Sequence, residues 1–412
     1  MAKVRRDAKG RVLRKGESYR KSQKLYVYSY TDSFGKRRSI YAKEISDLRK
    51  KEDALRKDQM DGLDVYVAGK ADLNFVFDRY INSKRNLRKS TKSNYIYMYD
   101  HYVRKTIGKK KIASIKYTDI IYFYKGLLDE SGLAVNTVDG LNTVLCPTFE
   151  LAVKDDIIRK NPTKGAMAEL KRNQEETAAK RQSLTLPEQK RFLESLDRPE
   201  NLRWRPLFVV LLGTGGRIGE ITGLRWSDVD MEERTISINH TLSYFEDRTG
   251  DGHHKFVISK PKTAAGIRII PMLDSVYEAL QEEKRYQKMT SVTCKEEVDG
   301  MKGFIFCNRF GGLHKPNGTN KAIARIVADY NAREEILSRK ENRSEELLPH
   351  FSNHVLRHTF CTRLCERESN LKVIQYVMGH SDIRTTMNIY ADVTKDKAQE
   401  SFKNFSDGVD IF

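Results

Sequence analysis

Cysteine is scarce in this sequence. The five cysteines, Cys146, Cys294, Cys307, Cys361 and Cys365, are odd in number, scattered, and form no CxxC pair. Neither a disulfide framework nor a cysteine zinc site is indicated, and a reducing compartment is the expected setting. Proline is also sparse, nine in 412 residues, which speaks against long disordered tracts. No window approaches the roughly 18 consecutive apolar residues of a membrane span, and the opening MAKVRRDAKGRVLRKG lacks the apolar stretch of a secretion signal. A cytoplasmic location is therefore expected, with no membrane partner. There is no GxxxxGK[ST] loop to cradle a nucleotide and no carboxylate cluster at two-metal spacing, so neither nucleotide hydrolysis nor two-metal chemistry is suggested.

Positive charge, by contrast, is abundant. Lys and Arg number 75 against 56 Asp and Glu, a net +19, enough to attract a polyanion, and nucleic acid before membrane because no amphipathic anchor is evident. The excess is unevenly placed. Residues 1–70 carry 20 basic and 10 acidic side chains, residues 71–180 carry 20 and 13, and residues 181–412 carry 35 and 33. A chain that grips a polyanion with its first 180 residues and does something else with the rest would partition its charge this way. The length itself predicts two or three domains.

Residues 1–66 read as a small basic unit. Alternation in LYVYSYT, the turn signal DSFG and the run RSIYA predict a hairpin, with a preceding strand near Tyr19 and a charged helix from Ile45 to Met60. Arg20, Lys21, Lys24, Lys36, Arg37 and Arg38 flank the strands and are candidate DNA contacts. Tyr26, Tyr28 and Tyr30 share one face; such a face can read a groove, but packing against the following helix is the commoner use. Residues 71–170 repeat apolar side chains at three- and four-residue spacing and predict a helical bundle, with Ser90 as an N-cap. Lys84, Arg85, Arg88, Lys89 and Lys92 cluster at the start of its second helix, where phosphate would be welcome. The polar segment 171–183 reads as a linker. Thr185 and Glu188 then form a capping box that opens a new domain, residues 184–412.

Within that domain the glycines of GTGGRIGEITGLRW allow a sharp turn that places Arg217 at a helix start with Glu220 one turn on. An arginine so placed can clamp a phosphate while the glutamate orients it. Strand-like runs TISINHTL, KFVISKP and GIRIIPM predict a small antiparallel sheet, with Lys262 in the turn between the second and third. In HVLRHTFCTRL, capped by Ser352 or Asn353, His354 and Arg357 share a face apart from the apolar stripe of Leu356, Phe360 and Leu364. An apolar helix closed by Gly379 precedes His380, and a further helix reaches Tyr390.

The strings GTGGRIGEITGLRW, PKTAAGIRIIP, HVLRHTFCT and MGHSDIRTTMNIY, in this order over about 200 residues, resemble the catalytic motifs of the tyrosine recombinase, or phage integrase, family. The N-terminal layout with SYTDSFGKRR further resembles integrases of conjugative transposons. The resemblance implies a multidomain α+β chain: a three-stranded sheet with a helix that binds arm sites, an all-α domain that binds core sites, and a mainly α catalytic domain with its small sheet. It makes Tyr390 the nucleophile, Arg217 and Arg357 the phosphate clamps, Lys262 the general acid, His354 and His380 the supporting histidines, and Glu220 a support to Arg217. Lys260 competes with Lys262, because sequence does not settle the hairpin register. Gly216 stands where relatives usually carry a bulky apolar residue, and ten residues separate His380 from Tyr390, a spacing shared by transposon-type integrases.

The resemblance further implies site-specific cleavage and rejoining of double-stranded DNA, at transposon ends, target sites and a circular intermediate, through a 3'-phosphotyrosyl ester and a Holliday junction. No metal and no cofactor are implied. Expected partners are three further copies in a homotetramer, an excisionase and a host DNA-bending protein, in a bacterial nucleoid. The tail AQESFKNFSDGVDIF, with Phe402, Phe405 and Phe412, would dock on a neighbour or fold back on its own domain.

Overall fold

The computed structural model describes residues 5–7, 9–31, 37–60, 71–172, 183–261, 263–391 and 393. Lys36, Lys262, most of the linker segment and the tail from 394 lie outside the described residues. The chain divides into two compact units, residues 1–177 with 246–253, and residues 178–245 with 254–412. Among the described residues no helix is long and apolar enough to cross a membrane.

In the first unit β1 (Glu17–Arg20), β2 (Leu25–Thr31) and β3 (Arg37–Ala42) form an antiparallel sheet in that order, followed by α1 (Ile45–Met60). The pleat sends alternate side chains to opposite faces. Tyr26 and Tyr28 therefore pack with Ala42 against Ile45, Leu48 and Leu55 of α1, with Tyr30 at the margin. The tyrosine face is a packing face. The register places Arg20 and Arg37 on the other face with Ser29, Ser39 and Tyr41, and Lys21 and Lys24 are exposed in the β1–β2 turn. Arg38 falls on the tyrosine side, opposite Tyr30.

Two carboxylates are buried beneath this sheet. Glu17 accepts from the Arg14 amide at 2.7 Å and from Arg49 Nε at 3.0 Å, and it stays below its usual range because these bonds and the Arg49 charge outweigh burial. Glu52 faces Arg56 at 2.6 Å. Burial, assisted by the Glu17 charge and opposed by Arg56, pushes the Glu52 carboxyl up.

The helical part of this unit comprises α2 (Leu73–Ser83), α3 (Lys89–Tyr102), α4 (Tyr117–Asp129), α5 (Val135–Lys154) and α6 (Ala166–Arg172), around a core that includes Phe77, Tyr99, Tyr124, Leu145 and Phe149. Asp72 caps α2 through the Phe75 amide at 2.8 Å. The expected cap at Ser90 is corrected: Lys92 N donates to Arg88 O at 2.9 Å, so the first turn closes earlier and Arg88 takes the N-cap position. Lys84, Arg85, Arg88 and Lys89 are exposed around the α2–α3 connection, and Lys92 is half-buried.

The second unit starts at α7 (Leu186–Leu196), whose Thr185–Glu188 capping box forms as expected. Its centre is α8 (Arg205–Thr214), buried on every side from Pro206 to Thr214. Around it stand α9 (Ile218–Thr222), α10 (Asp274–Thr290), α11 (Pro316–Glu341), α12 (Asn353–Arg367), α13 (Leu371–Met378) and, last among the described residues, helix α14 at residues 383–391. The expected single sheet is two. β4 (Val229–Asp230), β5 (Thr235–Ile238) and β8 (Arg268–Pro271) pair antiparallel, while β6 (Thr241–Glu246) pairs with β7 (His254–Ser259). The run TISINHTL breaks at Asn239 and His240. The buried His240 ring bonds Gly223 O at 2.6 Å and Asn239 turns to Asp228, so side-chain bonds replace ladder bonds there.

Candidate active site

Helix α8 ends in a tight turn that creates the first element of the site. Gly215 sits in the left-handed region at φ 60°, and a Cβ there would fall 2.3 Å from Phe360 Cδ1, so only glycine fits. The space expected for a bulky side chain at Gly216 is already taken by Ile221, whose Cδ1 lies 2.5 Å from where a Cβ would stand. Arg217 follows as the N-cap of α9. Its backbone N–H and Nη1 both donate to Glu220, at 3.0 and 2.8 Å, and Nη2 reaches toward Gly379 O at 3.4 Å.

Glu220 is almost wholly buried, with partners on both oxygens. Burial alone would raise its carboxyl. The charge and hydrogen bond of Arg268, with the backbone amide and charge of Arg217, hold it below its ordinary range. Arg268 is the residue that sequence reasoning missed. The inward position in β8 buries its side chain fully, and its fork donates to Glu220 Oε2 at 2.9 Å, Val377 O at 2.7 Å and Gly266 O at 3.1 Å. An arginine alternating with isoleucines in GIRIIP is the available signal, since charge at a core position of a strand demands a partner.

Arg357 comes from the first turns of α12 and is also buried. It donates from Nη1 to Gly215 O at 2.7 Å and from Nη2 to Met378 O, tying the ends of α8 and α13 together. Burial, then the positive charge of Arg217, lowers it to about 10. His380 follows the left-handed Gly379 that ends α13, and its Nδ1 pairs with Thr386 Oγ1 at 3.0 Å. Burial and then the neighbouring Arg357 and Arg217 lower it to about 4, so at neutral pH the ring is uncharged. His354 is exposed and meets the ring of His358 edge-on at 4.6 Å. His358, a second residue not anticipated, is held below its usual value by burial and by His354 and Arg357.

These side chains line one cavity of about 200 Å³: Arg217, Arg357, His354, His358 and His380, closed by Met378 and by Ser381, Thr385 and Ile389 of the last turn and helix. Two arginines and three imidazoles around a small cavity suit a phosphate whose charge grows in a transition state. Comparison of residues 182–397 with known families decides the assignment. The chain belongs to the phage integrase family.

The model of that family matches residues 182–397, and residues 1–59 match the DNA binding domain of tn916 integrase. Transposases from transposon Tn1545 of Streptococcus pneumoniae and from transposon Tn916 of Enterococcus faecalis are each 32% identical over 422 residues, covering 98% of both chains. A solved Tn1549 transposon integrase in complex with a circular intermediate DNA superposes with a TM-score of 0.68 at 29% identity, covering 80% of this chain and 99% of that one. This protein is accordingly a tyrosine recombinase, a site-specific enzyme of the transposon integrase type.

Neither Tyr390 nor Lys260 is among the residues that line the cavity. Tyr390 is half-buried against the cluster of Cys361, Cys365, Ile374, Met378 and Val393. Ile389, which lines the cavity, packs in the same cluster as Tyr390. Lys260 is exposed beyond β7 and is not among the cavity-lining residues.

Proposed function

We propose that this recombinase cleaves and rejoins DNA through a 3'-phosphotyrosyl intermediate on Tyr390. The observation that carries the reading is the convergence of Arg217, Arg357, His354 and His380 on one cavity. A scissile phosphate seated there receives guanidinium donors from both arginines and imidazole donors from the histidines. Glu220 orients Arg217. The Tyr390 oxygen forms a bond to phosphorus, its proton passing to a cavity imidazole, while the 5' oxygen leaves with its bonding pair and takes a proton from the turn lysine, Lys262 or Lys260. The ester conserves the energy of the broken bond, so a free 5'-hydroxyl from a second duplex can reverse the step without ATP. Charge that a metal would otherwise neutralise falls to the arginines.

Two such exchanges across a four-way junction would recombine transposon ends, target sites and the circular intermediate, within a homotetramer in the cytoplasm, assisted by an excisionase and a host DNA-bending protein. Residues 1–66 would take arm sites and residues 71–170 core sites, joined through 171–183 to the catalytic residues 184–412. Tyr390 packs with Met378, which also lines the cavity. On a nicked duplex carrying the recombination site, Tyr390→Phe is expected to bind with unchanged affinity and to form no covalent adduct. An adduct that survives the substitution overturns the reading.

A further inference from the structure

Arg268 ties three segments of this site together. Its three donor directions end on three different segments: Glu220 of α9, Val377 at the close of α13, and Gly266 in the turn between β7 and β8. That turn is compact among its described residues. Gly266 N donates to Thr263 O at 3.0 Å, and a Cβ on Gly266 would lie 2.5 Å from Pro261 Cβ. The turn also presses on the cavity wall, since a Cβ on Gly379 would lie 2.8 Å from Arg268 Nη1 and 3.1 Å from Ala265 O. Gly379 is the residue whose carbonyl faces Arg217 and which precedes His380. One buried guanidinium thus joins the turn that carries the lysines to the segment that carries the clamp.

We propose that Arg268 is a positioning residue for the general acid: it holds the β7–β8 turn, and with it the turn lysine, in register with the phosphate bound by Arg217 and Arg357. The inference rests on the reading of that lysine as the proton donor to the 5' oxygen. A planar fork is suited to this task because its donors point in fixed, separate directions, whereas an ammonium's three donors radiate from one compact, freely rotating point and do not fix partners on separate segments. Arg268→Lys keeps the buried charge opposite Glu220 and gives up the fork.

The test uses the full chain on nicked duplexes whose scissile phosphate carries either oxygen or sulfur at the 5' bridging position. When the 5' P–O bond breaks, the oxygen must gain a proton from the lysine ammonium; when a 5' P–S bond breaks, the thiolate leaves without one. Arg268→Lys is expected to slow cleavage of the oxygen substrate by about a hundredfold, within the range of a lost general acid, and to cleave the sulfur substrate near the wild-type rate. Lys262→Met and Lys260→Met are run beside it, and site affinity and thermal melting score each variant as folded. If one lysine variant is rescued by sulfur and Arg268→Lys is not, or if Arg268→Lys has no defect, the inference fails while the general-acid reading stands. If neither lysine variant is rescued, the reading of the general acid fails first. Arg268→Gln serves as the second variant, with the same rescue expected. A defect equal on both substrates shows Arg268 to act through the arginine clamp or the fold alone.

Discussion

Cations do different work in the two units of this chain. In the N-terminal sheet Arg20, Lys21, Lys24 and Arg37 are exposed, on a segment with 20 basic and 10 acidic residues. In the second unit Arg357 and Arg268 are buried and their donors end on backbone carbonyls and Glu220, and residues 181–412, most of which belong to it, are nearly neutral with 35 basic and 33 acidic side chains. Exposed charge acts at a distance, through counterion release, and indifferently to geometry. Buried charge acts only where it is aimed, and it needs its partners to be there at all. On the proposed reading, binding and chemistry are served by the same residue types in opposite environments.

The sharpest way to break that contrast is to keep a charge and move its atoms. Arg357→Lys retains a cation but cannot hold Gly215 O, Met378 O and a phosphate together. Cleavage of a nicked site is expected to fall by about a hundredfold or more, with affinity in a gel shift changed less than about threefold. Equal losses in both assays would mean that the buried arginine is part of binding. The complementary substitution, Arg20, Lys21 and Arg37 together to Ala, is expected to weaken arm-site binding and to lower the slope of log K against log salt by up to about 0.9 for each phosphate that is no longer neutralised, with cleavage in the bound complex unaltered. An unchanged slope would remove the sheet face from the interface.

The smallest expected effects concern pH, and they have opposite signs in the two units. His380 lies at about 4 in the folded chain against an ordinary 6.5. Its contribution to stability is therefore present above 6.5 and is lost as pH falls toward 4, because the unfolded chain binds the proton more readily. His380→Gln should flatten the melting curve across that window, and His314, also lowered to about 4 mainly by burial, accounts for what slope persists. Glu52 behaves the other way. Its carboxyl is raised, so its contribution is present below the unfolded value and is lost as pH rises through the folded one. Glu52→Gln should raise the melting temperature at pH 7 by a few degrees, about 1 kcal/mol, and leave it unchanged at pH 4. A gain of the same size at both values would mean that Glu52 owes its effect to packing alone.

Much of this was legible in the residues. Period-two alternation in LYVYSYT predicts β2, the Thr185–Glu188 pair predicts the start of α7, and the four motif strings point to the family without reference to any tertiary partner. What failed to show was set by partners distant in sequence. Ser90 is the exception, a local one: the cap moves because Lys92 N bonds Arg88 O, four residues back. TISINHTL became two strands because His240 found Gly223 O, 17 residues back. Tyr390 was evident as a residue but not as one packed with Cys361 and Met378.

The sequence by itself determined the chemistry available to this protein: which side chains, in which order, on helices and strands of which period. Those properties are local, carried by spacing of a few residues and by the ionisation of single groups. Only the tertiary structure decided which charges are buried and where their donors end. The Glu220–Arg268 bond spans 48 residues and the Arg357–Gly215 bond 142, and a buried guanidinium's role is defined by partners that the chain brings together only once it is folded.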